Sequence, residues 1–148
     1  MTAPSDELLR LENQLCFALV TAARNVVAIY RPILEPLGLT HPQYLVMLAL
    51  WERSPRTLND LAADLALEPA TASPLIKRLE GEGLVARERS STDERRLDIT
   101  LTDAGHALRD RALEVPERVM DAVGMSVTEI SALRDGLSRF AGRRPATV

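Results

Sequence analysis

Between Gly83 and Thr102 the hydrophobic pattern of the chain changes period, and no other feature narrows its fold as much. Leu84-Val85-Ala86-Arg87-Glu88-Arg89 and Leu97-Asp98-Ile99-Thr100-Leu101 both read as strands, the second with clean alternation. The polar loop Ser90 to Arg96 lies between them, so the pair predicts a hairpin. Immediately upstream the spacing is helical. Thr57 caps a short helix that carries Leu58, Leu61, Ala62 and Leu65. Ala66-Leu67-Glu68 reads as a turn, and Pro69 suits the first position of the next helix. That helix runs to about Glu82, with Gly81 and Gly83 ending it.

Longer helical patterns flank this unit. Leu8, Leu11, Leu15, Leu19, Ala22, Val26, Ile29 and Ile33 recur at spacings of three and four, a stripe sustained over about seven turns that ends near Pro32 or Pro36. A helix that long in a small protein suits a dimer element, because one small core cannot cover it. Thr40 and Gln43 form a capping box for a helix carrying Tyr44, Leu45, Leu48 and Trp51. Thr102 caps a long helix that Pro116 should kink. Ser126 and Glu129 form another capping box, and the last helix is expected to bury Val127, Ile130, Leu133, Leu137 and Phe140. The predicted class is mainly α with a small β-hairpin: a winged helix-turn-helix flanked by long N- and C-terminal dimerisation helices. Residues 1–148 are expected to form a single domain, with dimerisation helices over 5–36 and 103–142 and the winged helix-turn-helix, the region expected to bind DNA on the grounds given below, over 57–101. The loose segments are the first few residues and the tail Arg143 to Val148.

Composition sets limits. At 148 residues, 46% hydrophobic and 26% charged, the chain can bury one real core. It has no unbroken run of 18 apolar residues, so no membrane partner is expected. Met1 to Arg10 is polar and acidic, unlike a secretory signal. One cysteine and two histidines exclude an internal disulfide and an ordinary zinc site, so no metal or cofactor is expected and a reducing cytoplasm is the natural setting. The formal net charge of −3 argues only weakly against nucleic acid, since a few focused basic side chains suffice. Lys77 is the only lysine beside 17 arginines, so cationic contacts here are mostly planar and forked.

Projected at 100° per residue, the helix from Pro69 to Glu82 places Ala72, Leu75, Ile76 and Leu79 on its core face. Ala70, Pro74, Lys77 and Gly81 lie opposite, flanked by Thr71, Ser73 and Arg78. This outer face is small and polar at the start and basic further along, which suits entry into a major groove. Pro74 offers either an apolar contact to a thymine methyl or merely a tolerated kink. In the loop, Arg95 is placed to enter a minor groove, with Asp93 to hold it, while Arg87, Arg89 and Arg96 would face phosphates. The alternative is a solvated face in which these arginines pair with Glu88, Asp93 and Glu94. Pro69 to Arg96 holds six basic and five acidic residues, so it is not a basic block.

Leu79 to Val85, followed by Asp93-Glu94-Arg95-Arg96-Leu97 through Leu101-Thr102, resembles the MarR family of bacterial regulators. The resemblance covers nearly the whole chain. It implies a homodimeric winged-helix protein on a pseudo-palindromic double-stranded operator, with half-sites roughly 34 Å apart. Leu11 to Leu19, Tyr30-Arg31-Pro32, Leu37 to Val46 and Thr71 to Glu80 are similar to one branch, the organic hydroperoxide resistance regulators. By that resemblance Cys16 is a peroxide sensor, Tyr30 donates to the partner's sulfur, and the chain is a repressor that leaves its operator on oxidation. Tyr30 lies 14 residues beyond Cys16 on one helix, about 21 Å away, so it cannot reach its own thiol. His41 stands where the branch usually has a second tyrosine, and Val20 where some members have another. His41 is either a donor to sulfur or a solvated residue at a helix start.

A peroxide-sensing thiol reacts as thiolate, so it needs donors aimed at sulfur. With no second cysteine, an oxidised Cys16 would pass to a mixed disulfide with a low-molecular-weight thiol, or to over-oxidation. The competing readings are a regulator responding to a small phenolic or aromatic ligand with Cys16 structural, a thiol peroxidase, and a winged helix used only for protein contacts. No His/Asp array or phosphate loop supports an enzyme.

Overall fold

The computed structural model describes residues 4–140. Its helices are α1 (Pro4–Leu8), α2 (Leu15–Leu34), α3 (His41–Glu52), α4 (Leu58–Asp64), α5 (Pro69–Gly81), α6 (Asp103–Ala112), α7 (Val115–Val123) and α8 (Val127–Leu137). Strands β1 (Arg56–Thr57), β2 (Val85–Arg89) and β3 (Leu97–Leu101) form an antiparallel sheet in the order β1-β3-β2. The predicted tail Arg143 to Val148 and the end of the 103–142 helical region lie outside the described residues.

Local signals set most boundaries. Thr40 Oγ1 accepts from the Gln43 N–H while the Gln43 side chain accepts from the Thr40 N–H, and Ser126 and Glu129 repeat this pairing. Thr57 and Thr102 cap α4 and α6 through their hydroxyls. Each cap satisfies helix-end donors that would otherwise need water. Between α4 and α5 the chain turns through Ala66, whose φ of 56° is left-handed.

The core gathers where α3, α4 and α5 meet the sheet and the start of α7. Leu34, Val46, Met47, Leu50, Leu61, Ile76, Leu79, Val85, Ile99 and Val115 are its fully buried members. Arg56 is also buried, paired with Asp64 and donating from Nε to the Arg53 carbonyl at 2.9 Å. Thus β1 fastens the start of α4 to the hairpin. The junction to α6 is equally close: the Thr102 N–H donates to the Leu84 carbonyl, Trp51 Nε1 donates to the Gly105 carbonyl, and a Cβ on Gly105 would overlap the Leu84 carbonyl.

Three expectations need correction, and a fourth needs a qualification of its premise. The stripe from Leu8 is not one helix: it breaks into α1, a 3₁₀ turn at Leu11–Asn13, and α2. Asn13 and Gln14 donate side-chain hydrogen bonds back to the Glu7, Leu8 and Arg10 carbonyls, a local alternative to helical pairing. Pro116 does more than kink its helix: it sits in the first turn of α7, separate from α6. The apolar residues of α8 are not buried, since Val127, Leu133, Leu137 and Phe140 are all exposed in the protomer. Finally, Leu15–Leu37 is long and apolar enough, by length and composition, to cross a membrane, although no unbroken apolar run of that length exists. Arg24 and Arg31 interrupt it, and a charge near mid-bilayer costs about 2.5–3.5 kcal/mol. Most of α2 is uncovered within the protomer, and its C-terminal half packs against α3 and α7.

Candidate functional site

The helix-turn-helix is α4 and α5. Ala72, Ile76 and Leu79 of α5 are buried and Leu75 is half-buried, as the helical projection requires. Ala70, Thr71, Pro74, Lys77 and Arg78 are exposed, and Ser73 is half-buried beside them. Lys77 and Arg78 make no ion pair among the described residues, so two cations stand free at the basic end of this face. Pro74 occupies the helix interior without ending it.

The hairpin β2–β3 forms the wing. Asp93 shapes its tip: Oδ1 accepts from the Arg95 N–H at 3.0 Å, and its carbonyl accepts from the Arg96 N–H. This Asx turn leaves the Arg95 side chain exposed at the tip, so Asp93 does hold Arg95, through its backbone. Arg89 donates to the Glu94 carbonyl at 2.8 Å and closes the loop. Two arginines also meet carboxylates within the protomer. Arg87 lies 3.5 Å from Glu80 of α5, and Arg96 lies between Asp98 at 3.0 Å and Asp60 of α4 at 3.5 Å. Both pair with carboxylates of the protein, Arg87 half-buried and Arg96 still exposed.

The second constellation is split along α2. Cys16, the second residue of that helix, is exposed. Tyr30 sits near the other end, with the His41 ring 4.8 Å away edge-on and the Tyr44 ring at 6.0 Å. The structure therefore brings Tyr30 and His41 together and leaves Cys16 apart, as a single helix must. Tyr44 is the member that sequence reasoning missed, having been counted only as part of an apolar stripe; its place three residues after His41 was the available signal. Burial raises the Tyr30 phenol above its usual range, and burial plus the neighbouring Tyr30 raises Tyr44. Burial lowers His41. At neutral pH all three are uncharged, and a hydroxyl or one ring N–H remains free to donate. Burial thus disfavours the protonated form of His41.

A cleft of about 520 Å³ adjoins this cluster, lined by Val27, Arg31, Glu35, His41 and, from the end of α5, Arg78 and Glu82. No group of three or more metal-ligating side chains occurs among the described residues.

Comparison with known proteins gives a consistent picture. The MarR family profile matches residues 39–97. The organic hydroperoxide resistance transcriptional regulator of Bacillus subtilis (strain 168) is 37% identical over 129 residues, covering 87% of this chain and 88% of that protein. AbfR of Staphylococcus epidermidis, solved on DNA in its reduced form, superposes with a TM-score of 0.74 at 37% identity, covering 92% of this chain and 95% of that one. Its overoxidised form, also bound to DNA, gives 0.73 at 38% identity over 92% and 96%. CouR of Rhodococcus jostii RHA1, bound to p-coumaroyl-CoA, gives 0.78 at 26% identity over 94% and 99%.

Proposed function

The chain belongs to the MarR family of transcriptional regulators, and from that membership we propose that it represses transcription as a homodimer until an organic hydroperoxide oxidises Cys16. It is a DNA-binding regulator and not an enzyme. One observation carries the sensing role: an exposed Cys16 opens α2, a helix mostly uncovered in the protomer, in a chain 37% identical to an organic hydroperoxide resistance regulator. Its setting is the cytoplasm, where the operator is.

A partner copy supplies what one protomer lacks. Exposed Leu8, Leu9, Leu11, Leu15 and Phe17 at one end of the chain, with Leu133, Leu137 and Phe140 at the other, leave an apolar surface that a second copy would cover. Packing two α2 helices side by side would bring Tyr30 and His41 of one protomer toward Cys16 of the other.

The chemistry balances simply. The Cys16 thiolate attacks one peroxide oxygen, the O–O bond breaks, and the alkoxide leaves as alcohol after taking a proton. Cys16 becomes a sulfenic acid. A low-molecular-weight thiol then displaces water to give a mixed disulfide, because no second cysteine is present. Added bulk or charge at a packed interface shifts the two winged lobes and lowers affinity for the operator. Ala70, Thr71, Ser73, Pro74, Lys77 and Arg78 read the major groove, and Arg95 reaches the minor groove. Replacing Cys16 with serine should keep the protein on DNA in the presence of hydroperoxide. If that variant still dissociates, the thiol is not the sensor.

A second reading has its own observation. The cleft beside His41, lined by Arg31, Glu35, Arg78 and Glu82, has room for a small phenolic or aromatic molecule. Release of DNA by such a ligand, equal in the wild type and in Cys16→Ser, would favour it.

A further inference from the structure

Four arginines belong to the hairpin, and their side chains divide into two kinds. Arg95 stands exposed at the tip, and only its backbone N–H is engaged within the wing. Arg89 is spent within the loop. Arg87 and Arg96 instead cross to other elements. Arg87 is only 28% exposed; its Nε is out of contact with solvent, has no hydrogen-bond partner among the described residues, and lies at ion-pair distance, 3.5 Å, from Glu80 Oε2 on α5. Just before the other strand, Arg96 holds two carboxylates at once, Asp98 on β3 and Asp60 on α4.

The backbone explains why Asp60 is within reach. Thr57 of β1 pairs with Asp98 of β3, and the same Thr57 caps α4. Asp60 is the third residue of that helix, one turn from the cap, so it emerges beside the end of β3 where Arg96 lies. The hairpin is therefore tied to both helices of the helix-turn-helix, to α5 through Glu80 and to α4 through Asp60. Partly exposed pairs like these add little to global stability. They do restrict direction, since each joins the hairpin to a different helix, Arg87 from the middle of β2 and Arg96 from beside Arg95 at the loop end.

We propose that Arg87 and Arg96 are positioning residues of the DNA interface, whose ion pairs with Glu80 and Asp60 set the pose of the wing, rather than phosphate contacts. This rests on the wing meeting DNA and is independent of peroxide sensing. It makes a sign prediction. Asp60 and Glu80 are negative charges beside a DNA-binding surface, so removing either should tighten binding by electrostatics alone. If they hold the wing, removing them should weaken it.

The probe is a duplex of about three helical turns, recovered from a random-sequence pool by the unmodified protein. Affinity is followed by fluorescence anisotropy across a salt series. Asp60→Asn and Glu80→Gln keep side-chain shape, and circular dichroism checks that each variant is folded. Each should bind roughly fivefold more weakly. Arg96→Ala should lose a similar factor with no change in the slope of log affinity against log salt, and the double variant Asp60→Asn/Arg96→Ala should be no weaker than either single one. Unchanged or tighter binding by Asp60→Asn overturns the proposal. So does a slope reduced by about 1 in Arg96→Ala, the mark of a lost phosphate contact. Arg95→Ala tests the premise separately: no loss there would mean that the wing is not on the DNA, and the proposal would fall with the interface itself.

Discussion

Cys16 and Tyr30 stand near opposite ends of one straight element, and a helix of 1.5 Å rise per residue keeps them about 21 Å apart. Tyr30 can therefore meet a Cys16 thiol only on another protomer. Tyr30, His41 and Tyr44 are uncharged donors packed together, which suits hydrogen bonding to an anionic sulfur without the cost of burying a second charge. Tyr30→Phe should slow oxidation of Cys16 by peroxide about tenfold, roughly 1.4 kcal/mol for one hydrogen bond, as read by mass spectrometry of quenched samples. An unchanged rate would leave Tyr30 a packing residue. His41 makes a separate prediction. Its folded pKa lies below the unfolded value, so the unfolded chain binds the extra proton. Stability should therefore be fully present above about pH 6.5 and decline as pH falls below it, and His41→Gln should flatten that decline in denaturant titrations. Both residues were visible in the sequence, while their contact was not, because it joins the end of one helix to the start of the next.

Among the elements, periodic patterns were the most legible. Ala72, Leu75, Ile76 and Leu79 turn inward as their spacing requires, and both long strands lie where alternation places them. The two-residue β1 escaped, since Arg56 and Thr57 carry no period of their own and their partner strand is over forty residues away. The partners of Arg87 and Arg96 escaped for the same reason: charge in a sequence does not say which carboxylate a fold will bring near. The break before α2 was hidden by an apolar stripe that continues in spacing although Asn13 and Gln14 bond locally. Gly105 marks the tightest junction between elements, α6 against the carbonyl of Leu84. Gly105→Ala should cost about 1–3 kcal/mol in thermal or denaturant unfolding, because backbone must move to admit one methyl group. A neutral effect would show that the junction can give.

For the whole molecule, the misplaced expectation is the informative one. Leu133, Leu137 and Phe140 have core-like spacing and yet are exposed, as are Leu8, Leu11 and Leu15 at the other end of the chain. Patterning selects residues for burial without saying which chain covers them. A second copy would account for both ends together, and on the proposed dimer it would also unite the halves of the sensor. Sedimentation at micromolar concentration should give a dimer, and Leu133→Glu should shift it toward monomer with loss of operator binding. A monomer that binds the operator at full affinity would separate DNA reading from dimerisation. The most direct measurement pairs intact mass with operator binding in one titration. One equivalent of organic hydroperoxide, with a small thiol present, should convert Cys16 to a mixed disulfide and release the operator in step, while Cys16→Ser changes in neither respect. Complete oxidation of Cys16 with the operator still bound, or release by the serine variant, would contradict a thiol switch.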